Sequence, residues 1–306
     1  TLPVKEPGRL VLFEWQAGLS FRYNGASGTS MVPEEPGTQS LSLFRHDVFT
    51  RMRQAQASTP ESPLSDFFAF APLSELNAVV GQQAEVINGQ AVSGAYYSGL
   101  GVQPALGRAI TDEDDRPGAA PVVVLSHQFW QERFGADPAV IGQSLKLNQQ
   151  SFTIIGVTPP AFNGALQVDY HPAVTLPIAS EPLLNGGKSF RLGRANEPGI
   201  WCLDLMGRLK PGATLEQARA SLNGAFQAAA LEVMPPPGRA GEPAQLDPKD
   251  YPRLLAESGS LGMLDERRMY TPTIYGLFIV VALVLLIACA NVANLTLTRG
   301  VRREQE

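Results

Sequence analysis

The sequence predicts an α+β fold, a two-lobed domain followed by one membrane-spanning helix. Three observations predict it. Gly and Pro are abundant (29 and 25 of 306 residues) while only 17% of residues are charged, below the ~25% of an ordinary globular chain. A strand, a Pro-Gly turn and an amphipathic helix recur near both ends of the first 268 residues, like two halves of one sandwich, with a stretch inserted between them. Finally, Met269 to Thr298 is thirty residues without a charge, more than the ~20 a helix needs to cross hydrocarbon. The expected division is 1–93 and 196–268 for the two parts of the sandwich and 94–195 for a β-rich inserted lobe. The helix follows at 269–298 and a cytoplasmic segment starts at 299–306.

Each element has its own signal. Arg9–Gln16 reads as a strand between Pro7-Gly8 and Gly18, and Asn24–Gly37 as a loop rich in Gly, Ser, Pro and Glu. Phe44, Val48, Met52 and Ala55 recur at helical spacing before Pro60. Two or three short strands are expected through Asp66–Val80 and Ala84–Val92, then a short helix around Tyr96, Tyr97 and Leu100 that Gly101 stops. Pro121–Leu125 reads as a buried strand. Ser126 then N-caps a helix, His127–Phe134, in which Trp130 and Phe134 stack at i, i+4 and which Gly135 closes. Asp137-Pro138 opens a further short turn.

Ser144–Asn148 and Ser151–Val157 alternate apolar and polar residues, so a β-hairpin around Asn148-Gln149-Gln150 is expected, with Leu145, Leu147, Phe152 and Ile154 inside. Trp201–Leu209 is a strand ended by Pro211-Gly212. Thr214 and Gln217 form a capping box for a helix that presents Leu215, Ala218, Leu222, Phe226 and Ala229 on one face and ends before Pro235–Pro237.

The net charge of −5 gives no basic footprint for phosphates, which excludes nucleic acid as a partner. Two cysteines, Cys202 and Cys289, exclude a disulfide framework. The opening has neither a Met nor a charged-then-apolar leader, so the chain reads as a fragment of a longer protein.

Candidate chemistry is sparse. Gly187-Lys188-Ser189 is half a phosphate loop, but Pro182 stands where the other glycine would be, so a surface loop is expected there. Thr111–Asp115 lacks the ligand spacing of a Ca²⁺ loop and reads as a Thr-capped first helical turn. Ser126 lies outside a nucleophile elbow, and neighbouring residues on a helix diverge, so Ser126 and His127 make no hydrolase pair. With His46 and His171 the only other histidines, no catalytic, cofactor or metal set is expected.

In the apolar stretch, Asn291 and Asn294 stand at i, i+3, where amides either bond a neighbouring membrane helix or sit hydrated near the headgroups. Arg299, Arg302 and Arg303 follow the stretch against Arg267 and Arg268 before it, which places the end after Arg299 on the cytoplasmic side and the large domain outside. One helix makes no pore, so further helices are required.

Several blocks carry a family resemblance. They are Leu2–Leu10, Val92–Gly101 (VSGAYYSGLG), Pro104–Arg108, Val123–Trp130 (VVLSHQFW), Ile141-Gly142, Ile155–Val157, Gly207–Gly212 and Leu285–Leu295 (LLIACANVANL). In them the chain resembles, over nearly its whole length, the MacB/FtsX-type permeases of ABC transport systems, particularly their duplicated orphan branch. The resemblance implies a periplasmic core domain with a porter-like part and an inserted β-rich lobe, moved by membrane helices that a separate ATPase drives. It implies an ABC ATPase subunit, a second permease half or homodimer partner, the lipid bilayer and a periplasmic adaptor as partners. It also implies a bacterial inner-membrane location and an efflux or mechanotransmission role, with ATP hydrolysis on the other subunit. Two other readings are a membrane-anchored binding, adhesion or sensor domain and an anchored hydrolase.

Overall fold

The computed structural model describes residues 3–27, 30–31, 35–81, 83–165, 170–186, 199–235, 246–262 and 275–290. It divides into two units, Thr1–Met263 and Leu264–Glu306.

The strands of the first unit are β1 (Leu10–Gly18), β2 (Ser30–Met31), β3 (Thr38–Leu41), β4 (Leu43–Phe44), β5 (Leu64–Val80), β6 (Gln83–Val92), β7 (Leu106–Gly107), β8 (Val122–Leu125), β9 (Ser144–Leu147), β10 (Gln150–Val157), β11 (Val174–Pro177), β12 (Leu203–Leu209) and β13 (Arg253–Ser258). The helices are α1 (His46–Ala57), α2 (Tyr96–Leu100), α3 (His127–Phe134), α4 (Glu181–Leu184) and α5 (Leu215–Glu232).

β1 is buried along its whole length because both faces of its sheet are covered. It pairs antiparallel with β12, β13 and β3, and β12 pairs in turn with β5. Side chains alternate across a strand, so Val11, Phe13 and Trp15 join Val48, Phe49 and Met52 of α1 and Leu222 and Phe226 of α5. Leu10 and Leu12, with Phe68, Phe70 and Met206, meet Tyr96, Tyr97 and Leu100 of α2. The capping box of α5 is formed as expected: the Thr214 hydroxyl accepts the Gln217 N–H at 3.2 Å and the Gln217 side chain accepts the Thr214 N–H at 3.0 Å.

The second half of β5 leaves this sheet and enters a closed ring. β5 pairs with β6, β6 with β11, β11 with β8, β8 with β10, β10 with β9, and β9 returns to β5 through Ala78↔Leu147 and Val79↔Lys146. Closure removes the unpaired edges that would invite another strand. Leu145, Leu147, Phe152 and Ile154 are all buried, as the alternation of the hairpin predicts.

Several expectations need correction. Of the two or three short strands expected through 66–80 and 84–92 there are two, and they are long: β6 has 10 residues and β5 has 17. A bulge between Leu73 and Leu76, with Glu75 at φ 59°, shifts the side-chain alternation and hides the continuity of β5. Ser30–Met31, expected in a loop, pairs with β3. Phe44 belongs to β4 and α1 begins two residues later. In α3 the Phe134 ring meets Phe129 at 5.9 Å, while Trp130 meets His127 at 5.4 Å and donates Nε1–H to Asp137 O at 2.9 Å. An aromatic at i+4 follows its own rotamer to the wetter or drier side, which spacing alone does not fix.

In the second unit, residues 275–290 are helical and every one is exposed. No helix among the described residues is long and apolar enough to cross a membrane. The flanks of the expected span, 269–274 and 291–298, lie outside the described residues.

Candidate functional site

A cluster of polar and charged side chains surrounds a 560 Å³ cleft between α1, the start of β5, the region of α2 and the acidic run 111–115. That run is a turn, not the first turn of a helix. Its carboxylates are drawn to partners that a helix start would not offer. Asp114 takes a bidentate pair from Arg108 at 2.7 and 2.8 Å and the Thr111 N–H at 2.9 Å. The Arg108 bond holds the Asp114 carboxyl below the usual carboxylate range.

Asp112 crosses the cleft to Arg53 of α1 at 2.6 Å. Behind it stands Gly94, where a Cβ would lie 2.5 Å from the Asp112 backbone, so only glycine lets the turn seat. Asp115 accepts the Gly94 N–H at 3.2 Å and the Ala179 N–H at 2.9 Å. These amides lie just beyond Val92 and Pro177, partners at the ends of parallel β6 and β11, so one carboxylate clips two strand ends. Burial pushes Asp115 up to about 6, against the opposing pull of its hydrogen bonds and Arg53.

A second arrangement anchors the segment that leads into β1. Arg208, 7% exposed, donates to Gly99 O at 2.6 Å, to Lys5 O at 2.8 Å and to Glu6 O at 3.5 Å. Arg9 donates to Leu209 O through Nε at 2.8 Å and Nη2 at 2.6 Å. The entering turn Pro7–Arg9 lies against the departing turn Gly259–Leu261, and β1 pairs with β13 along Val11↔Ser258 to Gln16↔Arg253. The chain thus enters and leaves this unit at one place.

The histidines are dispersed. Burial lowers His46 at the start of α1, with Asp47 opposing. His127 stacks edge-on with Trp130, and the Ser126 hydroxyl is spent on the Phe129 N–H at 3.1 Å as a helix cap. No Ser–His hydrogen bond forms between them among the described residues. His171 lines a separate 270 Å³ hollow with Glu132 and Arg133. Among the described residues no three His, Cys, Asp or Glu side chains gather as a metal set.

Asn291, Asn294, Arg299, Arg302 and Arg303 lie outside the described residues, as does Gly187-Lys188-Ser189. The strap of Arg208 and the clip of Asp115 were not singled out from the sequence. In the sequence Arg208 stands only within the strand Trp201–Leu209 and the block Gly207–Gly212, and Asp115 only as the last of an acidic run.

Residues 19–225 match the family of MacB-like periplasmic core domains. Among solved structures, the chain is similar to the periplasmic region of MacB from Actinobacillus actinomycetemcomitans. The identity is 14%, with 83% of this chain and 90% of that one covered and a TM-score of 0.50. It is also similar to a domain of a protein described as a permease in Porphyromonas gingivalis, with 12% identity, 84% and 91% coverage and a TM-score of 0.50. Among curated proteins no sequence matches this chain.

Proposed function

This chain belongs to the family of MacB-like periplasmic core domains, and from that premise we propose that it is the extracytoplasmic body of an ABC-type permease, working as a mechanical coupler. The family match over residues 19–225 carries the reading. Residues 1–93 and 196–268 are the porter-like part and 94–195 the inserted lobe, with β5 and β6 shared between them. The apolar helix at 275–290, exposed along its length, is the middle of a span reaching from 269 to 298. Surface of that kind is stable only against lipid or another membrane helix.

In this reading Asn291 and Asn294 bond a neighbouring membrane helix. Arg299, Arg302 and Arg303 hold the cytoplasmic end, where an ATPase subunit couples. The body does no bond chemistry. It moves as its helices move, together with a second permease half or a second copy and, outside, a periplasmic adaptor. The common entry and exit of the first unit favours this, because a displacement delivered there reaches β1 and β13 together.

The test is co-expression of the membrane-inserted chain with an ABC ATPase encoded beside it. Expected are co-purification of the pair and an ATP-dependent change in distance between spin labels on the two sides of the 560 Å³ cleft. A membrane-inserted chain that neither retains an ATPase nor changes those distances with ATP overturns the coupling and leaves an anchored binding or sensor domain.

A further inference from the structure

The tip of the β9–β10 hairpin holds a residue that its backbone does not favour. Both turn residues sit in the left-handed region, Asn148 at φ 46° and Gln149 at φ 72°. Asn tolerates that region, and Asn148 has a structural use: its Oδ1 accepts the Asn77 N–H at 2.8 Å and its Nδ2 donates to Leu184 O at 3.3 Å. The second position of such a turn asks for glycine. Gln149 instead carries an exposed side chain that makes no hydrogen bond among the described residues. A strained residue whose side chain does nothing for the fold points to a use outside it.

The surroundings say which use. Gln149 opens onto a 500 Å³ cavity with Asn77, Asn148 and Gln150, walled by Leu183 and Leu184. Among the described residues that line it, every polar side chain is a carboxamide and none is charged, so these side chains favour neither anions nor cations. The side chains of Asn77 and Gln150 are exposed and, among the described residues, make no hydrogen bonds of their own. A carboxamide presents a donor and an acceptor in one plane, which matches the N–H and C=O of a peptide unit. Leu183, 37% exposed, offers an aliphatic platform beside them. Among the described residues no aromatic ring lines the cavity to stack on a sugar face.

We propose that this tip binds an extended, uncharged peptide segment, its backbone amides paired with Gln149, Gln150 and Asn77 and an aliphatic side chain seated on Leu183. Exposed amide pairs of this kind give weak, millimolar-to-micromolar binding.

The probe is the capped peptide acetyl-Ala-Leu-Ala-Leu-amide, titrated into the full chain in nanodiscs and followed by calorimetry and ligand-observed NMR. The native chain is expected to bind it. Gln149→Gly relieves the turn and raises Tm by about 2–4 °C, yet weakens the peptide by about tenfold or more, so loss of binding is not loss of fold. Asn77→Ala with Gln150→Ala weakens it similarly. No binding by the native chain at millimolar peptide overturns the proposal, as does undiminished binding by Gln149→Gly or an unchanged Tm in that variant. Binding of tri-N-acetylchitotriose in place of the peptide also overturns it and makes the tip a sugar site.

Discussion

At the scale of single residues, the acidic turn shows how burial rearranges chemistry that looks uniform in sequence. Asp112, Asp114 and Asp115 are near neighbours, yet one forms an ion pair with Arg53, one with Arg108, and one clips the Gly94 and Ala179 amides. For Asp115 the folded value of about 6 exceeds the unfolded ~3.9. Its contribution is therefore full below the unfolded value and is lost as pH rises through 6. Between pH 7.5 and 5 the first unit is expected to gain about 1 kcal/mol from this group, and Asp115→Asn removes that part of the rise. Thermal melts of the two proteins across that interval check it, and parallel pH profiles refute it. The identity of these residues was legible in the sequence. Their partners were not, because Gly94 and Ala179 lie 21 and 64 residues away.

At the scale of elements, the strap of Arg208 joins the segment entering β1 to the end of α2 and to β12 itself. A guanidinium buried without a carboxylate bond is costly, and burial lowers its pKa. Its use here is geometric, since one planar group reaches carbonyls of Gly99, Lys5 and Glu6. Arg208→Met keeps the stem and strands those carbonyls, with an expected loss of about 1–3 kcal/mol. Amide hydrogen exchange should quicken first at residues 5–10 and around Leu100, ahead of α5. If exchange quickens evenly over the whole unit, Arg208 is ordinary core and not a strap. α5 shows the opposite case of a self-sufficient element: its cap, its apolar face and its proline stop all lie within one stretch of sequence. β5 lies between these cases, as its residues mark a strand but its bulge conceals the length.

At the scale of the whole molecule, two kinds of surface divide the chain. The first unit buries its large side chains, with Trp15, Trp201, Tyr96 and Phe226 almost wholly enclosed. The helix at 275–290 exposes Leu277, Phe278, Ile279, Leu285, Leu286 and Ile287, each more than half. Residues 1–263 on their own are expected to stay monodisperse without detergent, while the full chain requires micelles or a bilayer. Size-exclusion chromatography of both in plain buffer decides this. A full chain that elutes as a sharp monomer there removes the membrane span and, with it, the coupling mechanism.

The sequence by itself determined what is local: α3 with its Ser126 cap, the capping box of α5, the β9–β10 hairpin and the apolar run from Met269 to Thr298. Each depends on residues a few positions apart, whose hydrogen bonds and periodicity act before any distant contact forms. Only the tertiary structure decided that β5 serves two sheets, that β9 returns to close the barrel, that Arg208 and Asp115 are fasteners, and that three free carboxamides meet at one tip. Those outcomes depend on strands brought together from far along the chain, where register follows from burial on both faces at once and not from any one segment's pattern.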